Sequence, residues 1–519
     1  MRKTTMDNTN IYLSGARLVS VSDLASNIKD DKAVAIVNDN GERKAALGGQ
    51  FCPESQEGAV PALYMLPVPT GSSLGDEAFK KDYGLKYAYM GGAMAYGLSS
   101  VEMVVAFAQA GCLGSLGTGG SSMSEIAEKI DEIKGAIGDK AFAVNLLFSI
   151  TEQLNEVNVA KMYIEKGVPA IEASAYVSIT KALVYYRASG LSMDENGTII
   201  RAHKIIAKVS REEVAIAFMS PAEPKVIESM RKEGLITDEQ AALAAYVPIA
   251  DDITVEADSG GHTDNKALVS LLPAVIAIRD ELQQKHKYSQ RVRIGAAGGI
   301  STPQATLAAF EMGASYVVTG SVNQACTEAA TSDYVKELLS QVSINDVTMC
   351  PGIDSFELGV KVQVVKKNTM LPLNAQRLYD SYTDYKSFEE IPDKLRNRII
   401  KNYFKMPAED VWEECIKYYT EHGPGRLEAA AANPKVKMAL MFKWYVGLSV
   451  HWAIDDTPNR RMDFMIMCGP SMGAFNNWAK GTFLAKAENR SVAIIAKALM
   501  DGAAMLSLEN TAKEACKAV

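Results

Sequence analysis

Long apolar runs, paired cysteines and any excess of positive charge are missing from this sequence of 519 residues. No stretch approaches the roughly 20 apolar residues that a membrane-spanning helix needs. The opening MRKTTMDNTN also lacks the apolar core of a secretion signal. The formal charge is −8, without the basic footprint of a general nucleic-acid or anionic-membrane binder. The seven cysteines, at 52, 112, 326, 350, 415, 468 and 516, form no CxxC pair. Neither a disulfide framework nor a zinc site is expected from them. These absences point to a cytoplasmic protein with reduced thiols, no metal, no nucleic-acid partner and no membrane span. Histidine is scarce too, with five in all, so a histidine in a glycine-rich loop draws notice.

What is present suits a globular enzyme: 48% hydrophobic and 22% charged residues are enough to build a sizeable core. The length suggests about two to four domain-sized units, although a barrel with insertions can absorb much of it. Residues 1–85 read as a strand-rich N-terminal appendage. From 86 to 335, short apolar runs alternate with helical stretches, the pattern of repeated βαβ units and a parallel sheet. Eight runs are expected as strands: Tyr87–Met90, Leu113–Leu116, Ala141–Leu146, Ala170–Ala173, Lys204–Val209, Ile253–Glu256, Val292–Ala296 and Tyr316–Thr319. Eight is the number that closes a (β/α)₈ TIM barrel, although an open doubly wound sheet would alternate in the same way. Residues 336–460 read as a helical insertion after strand eight, since 375–450 are rich in Tyr, Trp, Lys, Arg and Glu at helical spacing. The segment 461–519 ends in an apolar helix, Ser491–Leu506, expected to return to the barrel's outer ring.

Three signals at expected strand ends carry chemistry, the first of them a pair of segments. Ile294 to Ile300 runs into Gly298-Gly299 and a helix start, and Tyr316 to Ser321 runs into Gly320-Ser321. Glycines let backbone amides approach a phosphate, and helix starts favour its charge. Loops after strands seven and eight of barrels often do this, although tight βα turns use the same glycines. The second signal is Ser259-Gly260-Gly261-His262 after strand six, which exposes a histidine able to exchange a proton near neutral pH. A merely hydrogen-bonded loop histidine is the plain alternative. The third, Met90 to Gly97, offers Gly92, Ala93 and Met94 as small or flexible residues on which a flat ring can lie. Asn145, ending strand three, presents donor and acceptor to a ring edge. Lys208, ending strand five, presents a positive charge, or is simply a solvated strand-end lysine.

On these residues, with Leu116-Gly117-Thr118-Gly119-Gly120, the stretch 86–330 resembles the superfamily of nitronate monooxygenases and FMN-dependent enoyl-acyl-carrier-protein reductases. The segments Asp354 to Gln363, Phe442 to Ser449 and Cys468 to Trp478 narrow the resemblance to the PfaD family. Those proteins are trans-acting enoyl reductases of polyunsaturated fatty acid and polyketide synthases. The resemblance implies FMN held by Gly92, Ala93, Met94, Asn145, Lys208, Gly261, Gly298, Gly299, Gly320 and Ser321, with His262 as the catalytic residue. It also implies NADPH or NADH as reductant and an enoyl thioester on an acyl carrier protein as substrate. No nicotinamide fingerprint separates the two nucleotides, and a homodimer is compatible with the sequence. Two positions depart from the superfamily pattern: Val255 where a Gln or Glu is usual, and Asp258 where Glu is usual. Lys208 is the candidate to supply what Val255 lacks. An acidic carrier protein calls for a local basic face, for which Lys361, Lys366, Lys367 and Arg377 are candidates, a solvated charge run being the bland alternative. A nitronate-oxidising flavoenzyme and a non-catalytic flavin-binding synthase subunit are the competing functions.

Overall fold

The computed structural model describes residues 4–5, 11–148, 153–353 and 356–517. Eight parallel strands close into a barrel: β1 (Tyr89–Gly91), β2 (Leu113–Leu116), β3 (Ala143–Leu147), β4 (Ala170–Ser174), β5 (Lys204–Val209), β6 (Asp252–Glu256), β7 (Arg293–Ala297) and β8 (Val317–Thr319). β8 pairs with β1 to complete the circle. The strands lie within two residues of those expected from sequence, because each is a short apolar run buried on both faces.

The outer helices show why the chain folds this way locally. Met123–Ile137 starts at a capping box, in which the Ser122 side chain and Glu125 satisfy each other's backbone amides. Its buried face is Ile126, Ile130, Ile133 and Ile137, spaced to form one stripe, and full burial of each is worth about 1.5–3 kcal/mol. Val101–Ala110 is capped by Ser100 and ends on Gly111 at φ 76°, a conformation that suits glycine. The ring is completed by the last helix, Val492–Lys517. It packs against Pro303–Glu311 and Val101–Ala110, and a Cβ on its Gly502 would strike Pro303. Its distal end, from Leu508 to Ala515, packs on the N-terminal sheet, whose seven short antiparallel strands lie between residues 4 and 67.

The end of the barrel where the strands begin is closed by charge and by aromatic rings. The helix Glu77–Tyr83 stacks Phe79 on Tyr316 with ring centroids 4.2 Å apart. Two consecutive aspartates, Asp252 at the start of β6 and Asp251 just before it, then take different partners. Asp252, with Tyr83 donating to it at 2.7 Å, holds Arg293 at 2.6 Å. Asp251 takes Arg187 at 2.5 Å, Arg201 at 3.2 Å and the amide of Ile205 at 3.0 Å. Burial alone would raise the carboxyl of Asp251, but Arg187 and Arg201 hold it well below its usual range.

Beyond β8 the chain departs from the expected all-helical insertion. Val347–Pro351 and Lys361–Val365 are strands, and they form a three-stranded sheet with Gly261–His262. Alternating small runs such as Lys-Val-Gln-Val-Val are too short to announce a strand without their partner. The rest of the insertion is helical around an aromatic core containing Phe356, Phe388, Phe404 and Phe442. Among the described residues no helix is long and apolar enough to cross a membrane, and all seven cysteines are free.

Asp251→Asn keeps the shape but leaves Arg187 buried without its anion. It is expected to lower unfolding free energy at neutral pH by about 3–5 kcal/mol. The native contribution is complete above about pH 4 and lost as pH falls through the lower folded value. Urea titrations from pH 7 to pH 3 should therefore show a shallower acid limb in the variant; a parallel limb would remove Asp251 from that role.

Candidate active site at the barrel mouth

The opposite end of the barrel, where the strands finish, is built from groups left unpaired. The β1 loop is fixed first. The Gly92 amide donates to Thr319 O at 2.9 Å, the Ala93 amide to Glu172 Oε2 at 2.8 Å, and the Met94 amide to Ser99 Oγ at 2.9 Å. Gly117, after β2, presses on the Met94 carbonyl so closely that any Cβ would overlap it.

Glu172, on β4, is fully buried. Its second oxygen makes no hydrogen bond and faces Lys208 Nζ at 3.7 Å. Lys208 also lies 4.0 Å from Glu256 Oε1. Burial works against the ammonium, but Glu256 and Glu172 outweigh it and raise its pKa above the ordinary value. Lys208 is thus a retained cation inside the mouth, not a solvated strand-end lysine. Beside it, Asn145 donates to Ser174 Oγ at 2.9 Å, while its own Oδ1 is buried without a partner. Ser115, Ser259 and Gln324, also on the ends of strands or the loops after them, each bury one unpartnered polar atom. Such groups cost free energy unless a ligand satisfies them.

The glycines after β7 and β8 supply open space. Gly298 and Gly299 have φ of 82° and 79°, and a Cβ at Gly299 or Gly320 would meet nothing within 4 Å. Among the described residues the amides of Gly299, Gly320 and Ser321 donate to no backbone carbonyl of the turns and loops. Ser321 heads a short 3₁₀ turn and accepts the Gly469 amide at 3.0 Å. The bed has room and donors for a phosphate, and the Asn145, Glu172 and Lys208 cluster suits a polar ring edge.

The loop after β6 is held from outside the barrel. His262, exposed, pairs with Val362 in the short antiparallel ladder, and buried Gly261 pairs with Gln363. The Gln363 side chain donates to Asp258 Oδ1 at 2.8 Å and to Ser259 O at 2.7 Å. From the other side, Gly260 lies on the Cys468 backbone, where a Cβ would come within 2.8 Å. Cys468 is itself buried, and burial pushes its thiol up to about 12, which makes it a packing group and not a nucleophile. Val255 is buried in β6, and Asp258 is spent on fixing the loop, also accepting from Asn265 at 2.8 Å.

Glu172, Gln363 and Gly469 were not singled out from sequence. A lone glutamate inside the apolar run Ala170–Ser174 was the signal for the first; the other two lie in segments that carry the family resemblance, but they act through contacts distant in the chain. The four basic candidates come from two neighbouring elements. Lys361 and Lys366 sit at opposite ends of a strand, Lys367 is committed to Gln341 O at 2.5 Å, and Arg377 lies on the helix Leu371–Asp384. Of the motif at Asp354, the first two residues, Asp354 and Ser355, lie outside the described residues; Phe356 is core.

A closed parallel barrel whose polar groups converge at one mouth defines a TIM barrel with its site at the ends of the strands, and residues 78–383 match the family model described as nitronate monooxygenase. The chain belongs to that family. Residues 385–464 match a second model, the inserted helical domain of [acyl-carrier-protein] S-malonyltransferase. The enoyl reductase domain of MlnA, from the macrolactin cluster of Bacillus amyloliquefaciens, superposes with a TM-score of 0.81 at 41% identity, over 85% of this chain and 99% of that one. The polyketide biosynthesis protein PksE of Bacillus subtilis (strain 168) is 43% identical over 84% of this chain. One of the proteins that make up a polyunsaturated fatty acid synthase in Thraustochytrium sp. is 42% identical, also over 84%. The chain spans 57% and 29% of those two proteins' lengths. Within its family, then, the chain is PfaD-like and superposes on the enoyl reductase domain of MlnA.

In a double-mutant cycle, Lys208→Met and Glu172→Gln are expected to couple by about 0.5–3 kcal/mol in unfolding free energy. Strictly additive losses would show that the two charges do not interact.

Proposed function

We propose that this protein reduces the 2,3 double bond of enoyl thioesters carried on an acyl carrier protein, using FMN and NADPH or NADH. The observation that carries the reading is the single mouth where open glycine amides, unpartnered buried polar atoms and a retained cation meet under the His262 loop. Gly299, Gly320 and Ser321 would hold the phosphate of FMN, and Gly92, Ala93 and Met94 would lie along its ring. Asn145 Oδ1 would accept from a ring N–H, gaining the partner it lacks. Lys208 would set a positive charge beside a ring edge that becomes electron-rich on reduction. The chemistry supplied by a bound flavin is two-electron transfer, as hydride, from a nicotinamide to the β-carbon of the enoyl thioester.

The remaining work falls to the chain's own residues. Negative charge grows on the thioester oxygen as the β-carbon is reduced, and the α-carbon must take a proton. His262 would take one of these tasks, by hydrogen bonding to that oxygen or by protonating that carbon. Its loop is fixed at three points, by Val362, by Gln363 and by Cys468. That fixation limits the orientations the ring must search. The identities of the relatives, a polyketide biosynthesis protein and a component of a fatty acid synthase, support a carrier-bound substrate.

His262→Ala is expected to bind FMN normally and to lose roughly 10²-fold or more in enoyl reduction. Anaerobic stopped-flow would follow flavin bleaching by each nucleotide and its reoxidation by crotonyl-carrier. Near-normal turnover in the variant removes His262 from the chemistry. Wild-type protein that oxidises alkyl nitronates with dioxygen but leaves crotonyl thioesters untouched overturns the reductase reading.

A further inference from the structure

A second concave site lies in the insertion, away from the barrel glycines. A cavity of about 360 Å³ is lined by Arg377, Arg398, Lys401 and Lys405, with Asp463 as its sole carboxylate. That carboxylate is already taken: Tyr445 donates to it at 2.8 Å and Lys405 at 2.6 Å, and Arg460 lies 3.4 Å away. The nearby Asp393 is engaged by Arg396, and Asp380 by Gln376. Arg377 has one long contact, 3.5 Å to the Tyr403 hydroxyl. Arg398 and Lys401 are exposed and face no anion among the described residues.

The backbone is shaped to present these cations. Ile399–Phe404 is a π-helical turn ending on Lys405 in the left-handed region at φ 58°. Such turns are rare and recur at functional sites. Arg460 holds it in place by donating to the Tyr403 and Phe404 carbonyls at 2.6 and 2.5 Å. Unneutralised cations set around a concave, polar cavity suit a phosphate ester, whose oxygens accept several charge-assisted hydrogen bonds at once. The cavity is also tied to the active site. Asp463 and Cys468 are five residues apart, at most about 18 Å of chain, and Cys468 packs on Gly260 of the His262 loop.

We infer that this cavity seats the phosphodiester of the carrier protein's phosphopantetheine arm, so that the thioester at the arm's far end reaches the barrel mouth. The inference rests on the carrier-bound substrate proposed above and adds the anchoring point. The test compares wild-type holoenzyme with Arg398→Ala/Lys401→Ala, in which the two exposed side chains are shortened without touching the core. Three substrates are used: crotonyl-carrier, crotonyl-phosphopantetheine and the phosphate-free crotonyl-pantetheine. The expected result is a roughly tenfold or greater fall in kcat/KM for the two phosphorylated substrates, with pantetheine thioester turnover and FMN content unchanged. Unchanged kcat/KM for all three overturns the inference, as does an equal loss on all three. A loss confined to NADPH and absent with NADH overturns it too, by assigning the cavity to the nucleotide's extra phosphate. Calorimetry with phosphopantetheine alone separates this inference from the enzymatic reading. If no thioester is reduced, the proposed reaction fails, while weaker binding of phosphopantetheine by the variant still upholds the site and equal binding still overturns it.

Discussion

A parallel barrel leaves the loops after its strands without a strand partner, and in this protein one of them is given a partner by a distant part of the chain. The pairing of Gly261 and His262 with Gln363 and Val362 is the interaction on which the site depends. Without it, a loop of Ser, Gly and Gly would sample many conformations, since glycine restricts the backbone least. Gln363 adds two side-chain hydrogen bonds, and the Cys468-Gly469 turn closes the other flank. The insertion therefore helps to build the candidate site and is not an ornament on a finished barrel.

The two ends of the barrel spend polar groups differently. At the end where strands begin, Asp251, Asp252, Arg187, Arg201 and Arg293 satisfy one another, so burial of charge is compensated there. At the other end, Asn145, Glu172, Ser115, Ser259 and Gln324 each keep an atom unpartnered. A fold tolerates uncompensated groups of this kind where a ligand completes them. Glu172 links the two functions of the mouth: one oxygen fixes the β1 loop through the Ala93 amide, and the other faces Lys208. The cation's position and the shape of the glycine turn are consequently set by the same carboxylate.

Much of the barrel was legible because its strands are local events. Runs such as Leu113–Leu116 and Lys204–Val209 were read to the residue, each being a short and largely buried apolar stretch. The glycines after β7 and β8 and the histidine after β6 were legible for the same reason: they follow strand ends directly. Lys208 could not be told from a solvated lysine, since the carboxylates that retain it lie on β4 and β6. The strands at 347–351 and 361–365 were missed because their ladder includes a segment roughly 100 residues earlier, and period-two patterns of three to five residues carry little signal by themselves.

The amino-acid sequence alone determined the succession of strands and helices, the glycine-rich strand ends and the family likeness. All of these are written in contiguous residues, where backbone preference and hydrophobic period act. Only the tertiary structure decided which charges remain paired, which stay open, and which remote strand holds His262 in place. Those outcomes depend on distances between groups far apart in the chain, and electrostatic and hydrogen-bond energies are fixed by such distances and by burial, not by order along the backbone.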